Sequence, residues 1–328
     1  MGLCASRKQA EEADLTLLNY QEELRYLYLI TVVFNPARSR SSLKHYANFK
    51  HQMEKLGVKL ITVECCFENS PFSITSPNYE PYNIQIRTNS LFFQKERLIN
   101  LAISKLPLDA KYILYVDYEV EFANENWVND AIKALHMFKG IQLFEEALLL
   151  GPQKEELKKV KSFAFQNYKK EKPLEKKQFE DSTLAAGFAW GFRADALKEL
   201  DGLIDYSPLG NNDKIMAYCL ANRSEEYVSR EKAGENFRDS VKNWQKKAQL
   251  IFNEGIGFIP GTIRVNWIKV KRDKTHYENW DILMANDFDP RNDLVLESNG
   301  IYGIEPTRGK LALELRKHFI DLDGENIE

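Results

Sequence analysis

Residues 26–37 read YLYLITVVFNPA, a run of aromatic and β-branched side chains closed by Asn35-Pro36. With no polar alternation, such a strand needs cover on both faces, which places it inside a parallel sheet rather than at a wet edge. The following segments supply that cover. A helical pattern at 42–56 is closed by Gly57, whose missing Cβ suits a left-handed C-cap, and 58–64 is a second buried strand. The order β-α-β implies a parallel pair joined by a right-handed crossover. A Pro- and Asn-rich loop at 69–82 leads to a short strand at 84–87. An amphipathic helix at 94–106 then carries Leu98, Leu101, Ala102 and Leu106 on one side. An apolar strand from 111 to 121 ends in Asp117-Tyr118-Glu119-Val120-Glu121. A helix at 127–138 and a strand at 141–144 complete an alternating half.

Residues 145–181 change character, with nine lysines against four glutamates between 154 and 177. Such a stretch reads as a solvated helix or loop; the functional alternatives are a basic flap over an anionic ligand or a strip facing acidic lipid. Small and aromatic residues at 185–192 predict a strand, followed by a helix at 194–200. Gly210-Asn211-Asn212-Asp213 caps a helix running to Ala221, a long helix spans 231–253, and a strand pair at 258–267 is split by Pro260-Gly261. The expected organisation is a tail or helix at 1–24, one domain over 25–300 and a C-terminal helix and tail at 301–328. Within the domain, halves at 25–145 and 182–300 flank the basic insertion at 146–181.

Lys plus Arg number 45 against 48 for Asp plus Glu, a net charge of -3, which argues against nucleic acid as the main partner because phosphate binding draws on surplus cations. The first long charge-free stretch is about half of the ~20 residues needed to cross a bilayer, so no spanning segment is expected. Cys4, Cys65, Cys66 and Cys219 have neither disulfide-framework nor CxxC spacing, which implies a reducing, cytoplasmic setting. Met1-Gly2-Leu3-Cys4-Ala5-Ser6 fits an N-myristoylation pattern, with Gly2 as acyl acceptor and Cys4 available for a second chain. Two chains give stable anchoring, so peripheral association with a cytosolic membrane face is an expectation.

Ligands of open α/β sheets sit at the carboxyl ends of the strands, where Asn35 and Asp117 fall. If the strand continues through 121, Asp117, Glu119 and Glu121 share one face, and three like charges require a cation or donors between them. Mg²⁺ or Mn²⁺, held by carboxylates and phosphate oxygens, would fill that role. The alternative is that the chain leaves the sheet there and the acids point into water.

YILYVDYEVEF resembles the strand and DxD element of GT-A-fold glycosyltransferases of the family-2-like branch. VVFNPARSR, FFQKERLINLAISKLP, NENWVNDAIKAL, AGFAWGFRADAL, GLIDYSPLGNNDKIM and IGFIPGTIRVNWIKVKRDKTHYENWDIL are similar to further elements of that family, in its order, over about residues 26–300. The resemblance implies a GT-A-like, Rossmann-type open mixed sheet flanked by helices, with a helical C-terminal part. It also implies transfer of a sugar from a nucleotide-diphosphate sugar to an acceptor hydroxyl. Asn35, Arg38 and Arg40 match the loop lying against the nucleotide, and Lys95, Glu96 and Arg97 match a helical motif on the same side. Asp117 and Glu119 match the metal-holding acids, and the strand around Trp190 matches the sugar and acceptor pocket. Asp213 matches the general base; its other reading is a helix N-cap. Lys269, Lys271 or Arg272 would meet the diphosphate.

The chain departs from the family pattern at several of these positions. Glu119 stands where Asp is usual, and three histidine sites read Thr183-Leu184-Ala185-Ala186, Lys214-Ile215 and Asn266-Trp267-Ile268 instead. His276, nearby, lies in a charged loop. Two functions follow: an active transferase with an altered metal site, or a catalytically inactive module that binds a nucleotide sugar or a protein partner at a membrane. A nucleotidyltransferase is excluded because Asn35-Pro36-Ala37-Arg38 is not a Gly-rich phosphate loop.

Overall fold

In a computed structural model, which describes residues 20–34, 40–76, 82–168, 184–230, 233–267 and 280–323, the first apolar run forms the strand Leu27–Phe34 (β1). Leu27, Leu29 and Ile30 are fully enclosed, each contributing about 1.5–3 kcal/mol through burial. The helix Arg40–Lys55 follows, and Gly57 takes the expected left-handed conformation at φ 68°. Lys59–Phe67 (β2) and Asn83–Thr88 (β3) add on in parallel, and Tyr112–Val116 (β4) lies parallel on the other side of β1. The helix Lys95–Ile103 (α1) makes the crossover to β4. Beyond β4 come Gly140–Gln142 (β5), Ala189–Arg193 (β6) and Gly257–Phe258 (β7). The seven strands run β7-β5-β6-β4-β1-β2-β3. The β6 strand is antiparallel to both its neighbours, so the sheet is mixed, with helices such as Trp127–Met137, Asn212–Leu220 (α2) and Glu235–Ile251 around it. The fold is α/β with a large mixed sheet, as the sequence implies.

A second, five-stranded sheet is the main departure. It joins Val120–Phe122, Thr262–Val265, Glu146–Leu150, Glu156–Ser162 and Leu184–Ala185. The expected strand at 111–121 therefore breaks into two strands in different sheets. The expected strand at 185–192 does the same. The lysine-rich stretch, where described, is strand followed by the helix Phe163–Tyr168 rather than solvated helix, loop or flap. Two of its lysines are ion-paired across the ladder: Lys159 Nζ lies 2.9 Å and Lys161 Nζ 3.0 Å from Glu146.

The seam where the chain passes twice between sheets is tied by backbone bonds. Asp117 N–H donates to Phe188 O at 2.8 Å, and Asn266 N–H donates to Glu119 O at 2.9 Å. At the far edge, the buried carboxylate of Glu64 on β2 accepts from the N–H of Ser73 at 2.7 Å and from the N–H and hydroxyl of Thr75 at 2.8 and 2.6 Å. Glu64→Ala would orphan these donors. It is expected to lower unfolding stability by about 3 kcal/mol in a urea titration, with Glu64→Gln losing less than half of that.

Candidate active site

The carboxyl ends of β1, β2, β3 and β4 enclose a cavity of about 250 Å³, lined among others by Phe34, Cys65, Thr88, Lys95, Asp117 and Glu119. This is the strand end at which ligands of such sheets bind. Phe319, from the C-terminal helix Gly309–Asp323, closes one wall with its ring 5.4 Å from Phe34 and 5.0 Å from Phe93. Phe188 also lines the cavity, at φ 72°, a region that large side chains seldom occupy. Its carbonyl is held by Asp117 N–H, and Ala189 N–H donates to Gly187 O at 3.0 Å, so the two-sheet seam imposes this backbone.

Lys95 opens α1 and stands at the centre of the charges. Its Nζ lies 3.2 and 3.3 Å from the two carboxylate oxygens of Asp117 and 3.8 Å from Glu96 Oε1. Burial opposes the ammonium charge, but Asp117, Glu96 and Asp213 outweigh it and hold the group above its ordinary range. Glu96 is 1% exposed; burial raises its carboxyl, partly offset by Lys95, with Asp213 pushing the same way as burial. Its other oxygen accepts from Asn212 Nδ2 at 3.2 Å, and Asn212 Oδ1 accepts from Ser207 N–H at 2.9 Å, which fixes α2 against α1. Tyr115, 1% exposed on β4, has a hydroxyl without a hydrogen-bond partner among the described residues, and the charges of Glu96, Asp213 and Asp117 all act on it.

Asp213 is the second residue of α2, and the N-cap is Asn211. The capping role is thus not its own; its Oδ1 accepts the N–H of Lys214 at 2.7 Å. Gly187 is what lets it sit where it does, because a Cβ at Gly187 would lie 2.4 Å from Asp213 Oδ2. The seam that carries Phe188 into the cavity therefore also brings its backbone onto Asp213.

Other expected site residues lie elsewhere. Arg97 is two residues beyond Lys95, which puts it on another side of the helix; its Nε donates to Gly300 O at 2.7 Å and its Nη1 lies 3.2 Å from Asp205 Oδ2. It lines a separate groove of about 910 Å³ with Asn100, Asp205, Tyr302 and Trp244. Larger though it is, that groove has its central carboxylate already satisfied by Arg97 and Asn100, so the chemistry points to the smaller cavity. Trp190 is wholly buried, donating to Ala186 O at 2.7 Å, and does not line the cavity; Phe188, two residues earlier, does. Arg40 is exposed at the start of its helix. Asn35, Arg38, Lys269, Lys271, Arg272, His276, Gly2 and Cys4 lie outside the described residues. Phe34 and Phe93 fall inside the segments VVFNPARSR and FFQKERLINLAISKLP but are not among the residues the resemblance marks, Phe319 lies beyond those segments, and the surroundings of Tyr115 are visible only once β4 is placed.

The acids are arranged differently from the expected strand-borne set. Asp117 and Glu119 do not alternate along one strand, because Val120 N–H donates back to Asp117 O at 3.0 Å and closes a turn. Asp117 already carries the Lys95 ammonium. Glu119 is 8% exposed; burial and then repulsion from Asp117 push its carboxyl up to about 7. Glu121 accepts from Asn266 Nδ2 at 2.7 Å, away from the cavity lining. Among the described residues no group of three or more His, Cys, Asp or Glu side chains is placed to hold a metal ion. A divalent ion held by one or two carboxylates and phosphate oxygens would have to displace the Lys95 ammonium from both oxygens of Asp117. The raised Glu119 has a thermodynamic consequence. The folded chain binds its proton more tightly than the unfolded chain does, so this contribution to stability is present below the unfolded value near ~4.3 and is lost as pH rises through about 7. Glu119→Gln is therefore expected to stabilise the chain more at pH 8 than at pH 5.5 in thermal or urea unfolding, the difference growing by at most about 1.4 kcal/mol per pH unit. A pH-independent effect would show that Glu119 is not held near-neutral.

No family model and no curated protein matches the chain. Solved structures do. The catalytic domain of Drosophila β1,4-galactosyltransferase 7 complexed with xylobiose is 12% identical over 60% of this chain and 61% of that one, with a TM-score of 0.32. A mutant of the same protein with manganese, UDP-Gal and xylobiose gives 12%, 60%, 62% and 0.33. TarS 1–349 from S. aureus in complex with UDP-GlcNAc is 11% identical over 90% of this chain and 80% of that one, with a TM-score of 0.37. The chain spans about three fifths of the galactosyltransferase chains it matches. Among the described residues no helix is long and apolar enough to cross a membrane.

Proposed function

We propose that the chain is a glycosyltransferase that moves a sugar from a nucleotide-diphosphate sugar to an acceptor hydroxyl. The observation that carries this reading is a part-buried ammonium, Lys95, held on Asp117 at the strand ends where the family-like motifs fall, with the Asp213 carboxylate close enough to act on its charge. The aromatic wall of Phe34, Phe93 and Phe319 suits a nucleobase, which stacks on rings. Lys95 suits the diphosphate. As the bond from the sugar's anomeric carbon to the phosphate oxygen breaks, negative charge gathers on the departing diphosphate, and a fixed cation there lowers the barrier. Asp213 accepts the proton of the attacking hydroxyl. No step is assigned to a divalent cation, since both oxygens of Asp117 already bond Lys95; the manganese in the galactosyltransferase complex is that protein's own.

The close seating of the Asp213 carboxylate against Gly187 supports the enzyme over an inactive binding module. A panel of nucleotide sugars, screened for hydrolysis and for transfer to simple glycosides, tests the reading. One donor is expected to be turned over by the wild type and not by Asp213→Asn. Equal rates from the two proteins, or turnover of none, would contradict it.

A further inference from the structure

Resting on that reading and deepening it, we propose that Lys95 itself supplies the positive charge at which the donor's diphosphate binds, so that the chain binds a nucleoside diphosphate without a divalent cation.

Three observations at one place carry this. First, the ammonium is built in rather than adventitious. It opens the nine-residue helix α1 and bonds both oxygens of Asp117. An ammonium has three N–H donors; the two Asp117 oxygens are nearly equidistant from it and Glu96 lies at 3.8 Å, which leaves donor capacity on the cavity side. Second, α1 starts with Gln94 as N-cap and no side-chain cap bond. Its first-turn amides add positive potential at the same spot. Third, Lys95 and Asp117 line the same cavity as Phe34, Phe93 and Phe319, so a diphosphate on Lys95 would carry its base toward the rings.

Asp117 acts as a positioning residue that holds the Lys95 side chain toward the cavity. A divalent ion would have to displace an ammonium from Asp117 to bind there, so Lys95 and a metal are rival occupants of one position.

Titration calorimetry with UDP and with GDP, in EDTA and in millimolar Mn²⁺, tests this on wild type, Lys95→Met and Lys95→Arg, with circular dichroism confirming that each is folded. Manganese EPR on the same proteins gives a readout independent of nucleotide. The wild type is expected to bind one of the two nucleotides with an affinity that changes less than about 3-fold between EDTA and Mn²⁺, and to leave the Mn²⁺ signal free. Lys95→Met should bind at least about 10-fold more weakly in EDTA and gain Mn²⁺ affinity as Asp117 is released, and Lys95→Arg should keep most of the affinity. Binding by the wild type only when Mn²⁺ is present would overturn the inference and leave the transferase reading standing. Binding of neither nucleotide under any condition would overturn both.

Discussion

Asp213→Asn is expected to lower glycosyl transfer by about 10²- to 10⁴-fold, the range typical of a lost general base, while donor affinity stays within about 3-fold. The substitution keeps shape. The amide oxygen can still accept the Lys214 N–H that Asp213 Oδ1 accepts at 2.7 Å, and it fits the same gap against Gly187. Only the capacity to take a proton is removed. Steady-state turnover together with calorimetric donor binding separates the two effects. A turnover within about 3-fold of wild type would place the base elsewhere.

The second large effect comes from one methyl group. Gly187→Ala would put a Cβ 2.4 Å from Asp213 Oδ2 and 3.5 Å from its Cγ, so the carboxylate must move. Gly187 is not in the left-handed region, and the obstructing atom is the tip of a short side chain, so the cost falls on the position of Asp213 rather than on the fold. Misplacing a reacting group by about 1 Å can cost about 10²-fold in rate. Gly187→Ala is expected to melt within a few degrees of wild type and to lose transfer by about that factor. A folded, fully active variant would show that the Gly187–Asp213 contact is incidental to catalysis.

Much of the main sheet is legible in the sequence because its strands are covered on both faces. The runs at β1 and β4 are nearly all apolar, and the intervening helices carry their own periodicity, so the β-α-β order and the parallel pairing of β1 with β2 follow. The second sheet is hidden for the opposite reason. Glu156–Ser162 carries lysines that are stabilised in the ladder by Glu145 and Glu146 on the neighbouring strand, a pairing that no local pattern announces. The acidic cluster misleads in a related way. Alternation of Asp117, Glu119 and Glu121 reads as strand, yet the chain turns at Asp117 and enters another sheet at Val120, because Asp117 N–H is taken by Phe188 O from a segment seventy residues on in sequence.

At the site, Lys95, Asp117 and Asp213 are marked by motif and the fold brings their charges together, whereas Arg97 and Trp190 are marked by motif and lie apart. Helical geometry already separates Lys95 from Arg97, since residues two apart do not share a face. Trp190 is central to β6, paired with Tyr115 and Gln142, and the register hands the cavity to Phe188 instead. Tyr115 is invisible as a functional group in sequence, because its interest lies in being buried beside charges from other elements.

The most direct test is a crystal structure of the wild type grown or soaked with the nucleoside diphosphate that binds best. Density is expected with the diphosphate within hydrogen-bond reach of Lys95 Nζ and the base against Phe34, Phe93 and Phe319. Density for the nucleotide in the groove around Arg97 and Asp205, with the β1–β4 cavity unchanged, would contradict it.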